Sequence, residues 1–179
     1  MNQLSNPNSA EVLTNGNILI ADENNNRAIV VDAMRNIVAT FIAGGTLNGV
    51  AFASHLPSGN VLLTDANNSR IVEVDMYDEV VWQYVTNRDP QSNLAPLPNR
   101  AVRLKSGQTL ISDQFNDRVI VVGPSGTIDE HYGYLNSPGF GTQSTGLGLN
   151  APTDAKVIGD STGLSLPIPE RAPFSEIGY

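Results

Sequence analysis

The chain has 179 residues, 40% of them hydrophobic, with a formal charge of −8, ten basic residues and no cysteine. That is enough apolar material for one globular domain with its own core. The lack of thiols excludes disulfides, thiolate metal sites and cysteine nucleophiles; the lack of any basic run argues against a nucleic-acid surface and against anionic membranes.

The opening MNQLSNPNSAEVL has neither a charged nor an apolar leader region, and no apolar run is long enough to span a bilayer, so a soluble chain is expected. Its acidic, Asn-rich surface, with Lys105 and Lys156 as the only lysines, suits an extracellular or periplasmic setting.

Taken in chain order, the elements are short strands separated by turn residues. Residues 9–13 form a small-residue strand, and a turn at Gly16 leads to the apolar strand 18–21. DENNNR (22–27) then turns the chain into strand 28–32, and AMRN (33–36) into strand 37–41. The second unit repeats this with strands 50–55, 61–64, 71–75 and 80–84, around Gly59, DANNSR (65–70) and MYDE (76–79). The third has strands 101–104, 109–112, 119–122 and 127–132, around Gly107, DQFNDR (113–118) and GPSG (123–126).

Gly16, Gly59 and Gly107 are spaced by 43 and 48 residues, and the same offsets relate Asp22, Asp65 and Asp113, and Arg27, Arg70 and Arg118. Four strands in each such period is the cadence of a β-propeller blade. The second strands read ILI, VLL and TLI without polar alternation, as expected where a blade packs between two neighbours. The expected blades are 7–43, 49–86 and 98–133. Ala155 falls in register with Ala10, Ala53 and Ala101, so 152–158 reads as the innermost strand of a fourth blade, with 154–158 as its strand-like core. Residues 159–179 read as a Pro-rich irregular tail. The fold expected is all-β: about three four-stranded antiparallel blades plus one strand.

The sets Asp22-Asn25-Arg27, Asp65-Asn68-Arg70 and Asp113-Asn116-Arg118 resemble the Asp-x-x-Asn-x-Arg segment of NHL-repeat β-propellers. VVWQY (80–84) is also similar to the fourth strand of propellers built on NHL or pyrroloquinoline-quinone-type repeats. The resemblance covers about residues 7–158 and implies a closed ring, commonly of six blades, of which this chain holds half. It implies no single activity, since such propellers include RNA binders, protein-interaction modules, a metal-dependent amidating lyase and lactonase-like relatives.

A motif present once per blade fits a structural corner, with Asp accepting turn N–H groups, Asn tolerating the left-handed conformation such turns need, and Arg reaching back to that Asp or across to the next blade's. Repeated Ca²⁺ binding is the alternative, without the 12-residue spacing of an EF-hand. His55 and His131, the only histidines, are expected on opposite rims, so no counterpart of the lyase zinc site is formed. Glu11 sits where lactonase-like relatives place a metal ligand, but its companion columns hold Ser54, Val102 and Lys156. No catalytic residue and no cofactor are assigned; Ca or Zn is the alternative. No Gly-x-Ser-x-Gly elbow occurs, and GFGTQSTGLG (139–148) reads as a loop.

The long connections 85–99 and 133–150 should emerge on the same rim as the Asp-Asn-Arg turns, which nominates Asn87, Arg88, Tyr132, Tyr134 and Phe140 as a binding face. Three blades leave apolar surface on the first and third exposed to water, so self-association or another protein is expected at those faces and at strand 154–158. The functional expectation is a non-catalytic interaction or assembly module, its ring completed by another copy, a partner or an upstream half. The alternative is a metal-dependent lyase or lactonase-like hydrolase whose central site forms only in the complete ring.

Overall fold

The computed structural model describes residues 3–139 and 148–160. Its strands form three four-stranded sheets, each antiparallel and each in sequence order. The first blade is β1 (Pro7–Val12), β2 (Ile18–Asp22), β3 (Arg27–Val31) and β4 (Ile37–Phe41). The second is β5 (Val50–His55), β6 (Val61–Asp65), β7 (Arg70–Val74) and β8 (Val80–Val85); the third is β9 (Arg100–Arg103), β10 (Thr109–Asp113), β11 (Arg118–Val122) and β12 (Ile128–Gly133).

The motif residues are themselves part of the ladders. Asp22 pairs with Arg27, Asp65 with Arg70, and Asp113 with Arg118, so each second strand ends on the Asp and each third strand starts on the Arg. Between them lies one 3₁₀ turn per blade, Glu23–Asn25, Ala66–Asn68 and Gln114–Asn116. At the first hairpin of each blade Gly16, Gly59 and Gly107 adopt φ of 85°, 92° and 86°, a region costly for residues with a Cβ.

Ladder pairing fixes which side chains share a face. In the first blade Leu19, Ala21, Ala28 and Val30 point toward the second and meet Val61, Leu63, Val72 and Val74 in one buried cluster. The second blade turns Leu62, Ile71 and Tyr84 toward Ile111, Ile120 and Val122 of the third. Accordingly β1 and β2 pack on β5, and β5 and β6 pack on β9, which places the blades side by side in chain order. Both faces of the middle blade are dry, so its strands β6 and β7 are buried almost throughout.

Two features differ from expectation. Residues 152–158, expected as an inner strand with 154–158 as its core, form no ladder among the described residues, because the strand that would pair with them is the second strand of a fourth blade. The segment nonetheless keeps the blade register. Ala151 N–H donates to Asp117 Oδ1 at 3.1 Å, as Gly49 N–H donates to Asn26 Oδ1 at 2.8 Å before β5, and Asp154 pairs with Arg100 at 3.1 Å. Second, the outer face of the third blade is not left bare. Leu149 and Ala155 pack on Val102, Leu110, Val119 and Val121, leaving beside Lys156 and Val157 a cavity of about 550 Å³. The outer face of the first blade is more open, with Ile18 exposed and Ile20 and Val31 half-buried.

Candidate functional site

Each Asp-Asn-Arg corner is built around one buried carboxylate. In the first, Asp22 Oδ1 accepts the Ser5 N–H at 2.7 Å, while Oδ2 accepts Asn25 Nδ2 and Arg27 Nε, both at 2.8 Å. In the second, Asp65 Oδ1 accepts the Asn48 N–H at 2.7 Å, and Oδ2 accepts Asn68 Nδ2 at 2.9 Å and Arg70 Nε at 2.6 Å. In the third, Asp113 Oδ2 takes Asn116 Nδ2 at 2.9 Å and Arg118 Nε at 2.7 Å. Asp22, Asp65 and Asp113 have no solvent exposure. A carboxylate can be held there because charge-assisted donors replace its water.

The motif asparagine acts differently from expectation. The left-handed residue is the next one, Asn26, Ser69 or Asp117, with φ of 52°, 55° and 55°. The side chains of Asn25, Asn68 and Asn116 instead bridge the carboxylate to a loop carbonyl, that of Gln3, Thr46 and Thr86 respectively. Spacing alone could not separate these roles, since a 3₁₀ turn places the left-handed position just after its last residue.

The electrostatics of the corners diverge. Burial pushes the Asp22 carboxyl up, but the Ser5 N–H, the Asn25 amide and the Arg27 guanidinium outweigh it and hold it below the usual carboxylate range. For Asp113 burial prevails over Arg118 and Asn116, and the carboxyl is raised.

The long connections meet the third corner. Asn93 N–H donates to Asn116 Oδ1 at 2.7 Å, Phe115 N–H to Pro96 O at 2.8 Å, and Asn136 N–H to Asn116 O at 2.8 Å. The residues nominated as a binding face are spread over this region. Arg88 lies over the Tyr84 ring at 5.0 Å, and Asn87 Nδ2 reaches Leu94 O at 3.4 Å. Tyr132 lines the cavity on the outer face of the third blade and donates to Glu130 at 2.9 Å. Tyr134 lines a smaller hollow of about 180 Å³ with Arg118 and His131. Phe140 lies outside the described residues. His55 ends β5 and His131 lies within β12; among the described residues no group of three His, Asp or Glu is arranged to hold a metal.

Glu11 ties two blades together, its Oε2 accepting the His55 N–H at 3.1 Å; burial raises its carboxyl despite this bond, a further one from the Ser54 side chain and the nearby charge of Arg100. Two inter-blade devices went unnoticed in the sequence. Asp78 Oδ1 accepts the N–H groups of Ile42 and Ala43 at 2.9 and 2.8 Å, and its Oδ2 that of Gly44 at 3.1 Å. Glu73 is paired with Arg103 at 2.8 Å and accepts from Asn60 at 2.7 Å, while Arg103 stacks on Trp82 at 5.0 Å. The signal for the second was present: Glu73 interrupts a column that holds Val30 and Val121.

These sheets, packed face to face around small inner-strand residues, define a set of β-propeller blades. Solved propellers are similar to it: virginiamycin B lyase from Staphylococcus aureus matches at TM-score 0.54 and 15% identity over 70% of this chain and 40% of that one. A streptogramin B lyase matches at TM-score 0.58 and 17% identity, over 77% of this chain and 44% of the lyase. A protein of unknown function from Bacteroides caccae matches at TM-score 0.53 and 21% identity, over 73% and 46%. The chain thus spans less than half the length of each of these proteins. No protein-family model and no curated protein matches it.

Proposed function

We propose that this chain is an NHL-like propeller scaffold that works by association, its ring completed by a second copy, another protein or further blades of a longer polypeptide. One observation carries the reading: the blade-to-blade interface repeats within the chain and would continue at both ends. Ile18, Ile20, Ile29 and Val31 on the outer face of the first blade occupy the positions of Val61, Leu63, Val72 and Val74, which pack against a preceding blade. Leu110, Val119 and Val121 on the third blade correspond to the residues that receive a following blade. Apolar faces of this kind are interaction sites in soluble proteins.

The native mass tests it. We expect sedimentation to show particles heavier than the 19.1 kDa chain as concentration rises. A particle fixed at 19.1 kDa that also binds no apolar dye would overturn the reading.

A second reading draws on the likeness to two lyases: a metal-dependent lyase or hydrolase whose centre forms only in the complete ring. Stoichiometric Zn²⁺ or Ca²⁺ in the purified assembly would favour it over the scaffold.

A further inference from the structure

A motif repeated once per blade reads as architecture, so the blade in which its surroundings change is the place to look for a ligand. The loop carbonyls set the register: Asn24 N–H donates to Ser5 O, Asn67 N–H to Asn48 O, and Phe115 N–H to Pro96 O. Pro96 therefore stands where Ser5 and Asn48 supply the N–H that Asp22 and Asp65 accept, and proline has none. Thr46 also gives Arg70 Nη2 a hydroxyl at 2.8 Å, whereas its counterpart in the third blade, Thr86, supplies the carbonyl to Asn116 but spends its hydroxyl on Ser69 O at 3.0 Å.

Both losses are felt inside. Asp113 Oδ1 and Arg118 Nη2 are buried without a hydrogen-bond partner among the described residues, and so is the Tyr84 hydroxyl. Tyr84 is itself a departure, because the same position in β4, opposite the third strand, is Phe41. The three residues belong to one corner. Arg118 Nε holds Asp113, and the consecutive residues Arg88 and Asp89 lie over the Tyr84 ring and 3.6 Å from Arg118 Nη2. They are 0%, 5% and 2% exposed for Asp113, Arg118 and Tyr84, where polar atoms almost always find partners.

We propose that this third corner binds one hydroxyl-type oxygen, which accepts hydrogen bonds from Arg118 Nη2 and the Tyr84 hydroxyl and donates one to Asp113 Oδ1. An oxygen with two lone pairs and an O–H meets that set in full. Two sources share this chemistry: an internal water, or the hydroxyl of a polyol or saccharide reaching in beside the 86–99 connection.

The test grafts the second blade's loop donor into the third with Pro96→Ser, so that a backbone N–H of the chain itself reaches Asp113 Oδ1 and fills the corner. If water is the guest, oxygen-17 relaxation dispersion finds a long-lived internal water in the native chain that the grafted chain lacks. If a ligand hydroxyl is the guest, glycerol or glucose raises the melting temperature of the native chain more than that of the graft. Tyr84→Phe removes one donor without touching the loop, and is expected to weaken the polyol effect or shorten the water residence about tenfold. Should the graft fail to fold, the same two measurements on Tyr84→Phe decide the matter. Identical water dispersion and identical polyol response in native and variant chains would overturn the proposal.

Discussion

In the first two corners the carboxylate is held by an N–H from the preceding loop, an amide from the 3₁₀ turn and a guanidinium from the next strand, so three pieces of backbone meet on one side chain. Removing the guanidinium leaves the charge buried and under-partnered. Arg70→Ala is expected to lower stability by about 2–4 kcal/mol in urea titration, without selectively abolishing binding of any ligand. A variant that melts like the native chain would show that the corner is not structural. The corners also differ in their response to acid. Asp22, held below its unfolded value, stabilises the fold at neutral pH, and that contribution fades as pH falls from the unfolded value through the depressed native one. Asp113, raised by burial, works in the opposite sense: its ionised form opposes folding, and the penalty is relieved as pH falls through the raised native value toward the unfolded one. Urea titrations between pH 7 and 3 should therefore show the native chain gaining on Asp113→Asn but losing ground to Asp22→Asn as the solution is acidified.

At the scale of elements, the interfaces between blades are variations on one pattern. Where the first blade offers Val30 to the second, the second offers Glu73 to the third, and Arg103 answers it from β9. A buried pair of this kind is costly to break and cheap to replace whole. Glu73→Val alone should cost about 2–4 kcal/mol in urea titration by stranding Arg103, and adding Arg103→Met should recover most of that loss. Equal destabilisation in the single and double variants would mean that the pair is not coupled. The same logic explains residues 152–157. Their alanine register and their contacts to Asp117 and Arg100 are those of an inner strand, but a strand needs a ladder, and its partner is not in these sheets.

For the whole molecule, the two ends of the arc are unequal. The third blade is partly roofed by Leu149 and Ala155, whereas the first presents Ile18 and its neighbours with less cover. Ile18→Asp is therefore expected to leave the melting temperature within a few degrees of native while shifting sedimentation toward the 19.1 kDa chain. Continued assembly of Ile18→Asp would place the association elsewhere. Its failure and that of the corner proposal are independent, since no residue is shared.

The repeat alone determined the blades. Glycine at a left-handed hairpin, an apolar second strand and an Asp-x-x-Asn-x-Arg turn are local requirements, set by φ, by the two-residue period of a strand and by short-range hydrogen bonds, so identical offsets between Gly16, Gly59 and Gly107 suffice to read them. What distinguishes the blades was decided only by packing. Whether Asp113 Oδ1 finds a donor depends on a loop residue well before it in sequence, whether Glu73 is tolerated depends on Arg103 across a sheet boundary, and whether the third blade stays wet depends on a segment beyond residue 147. Each rests on contacts between units, and a sequence period describes only what the units share.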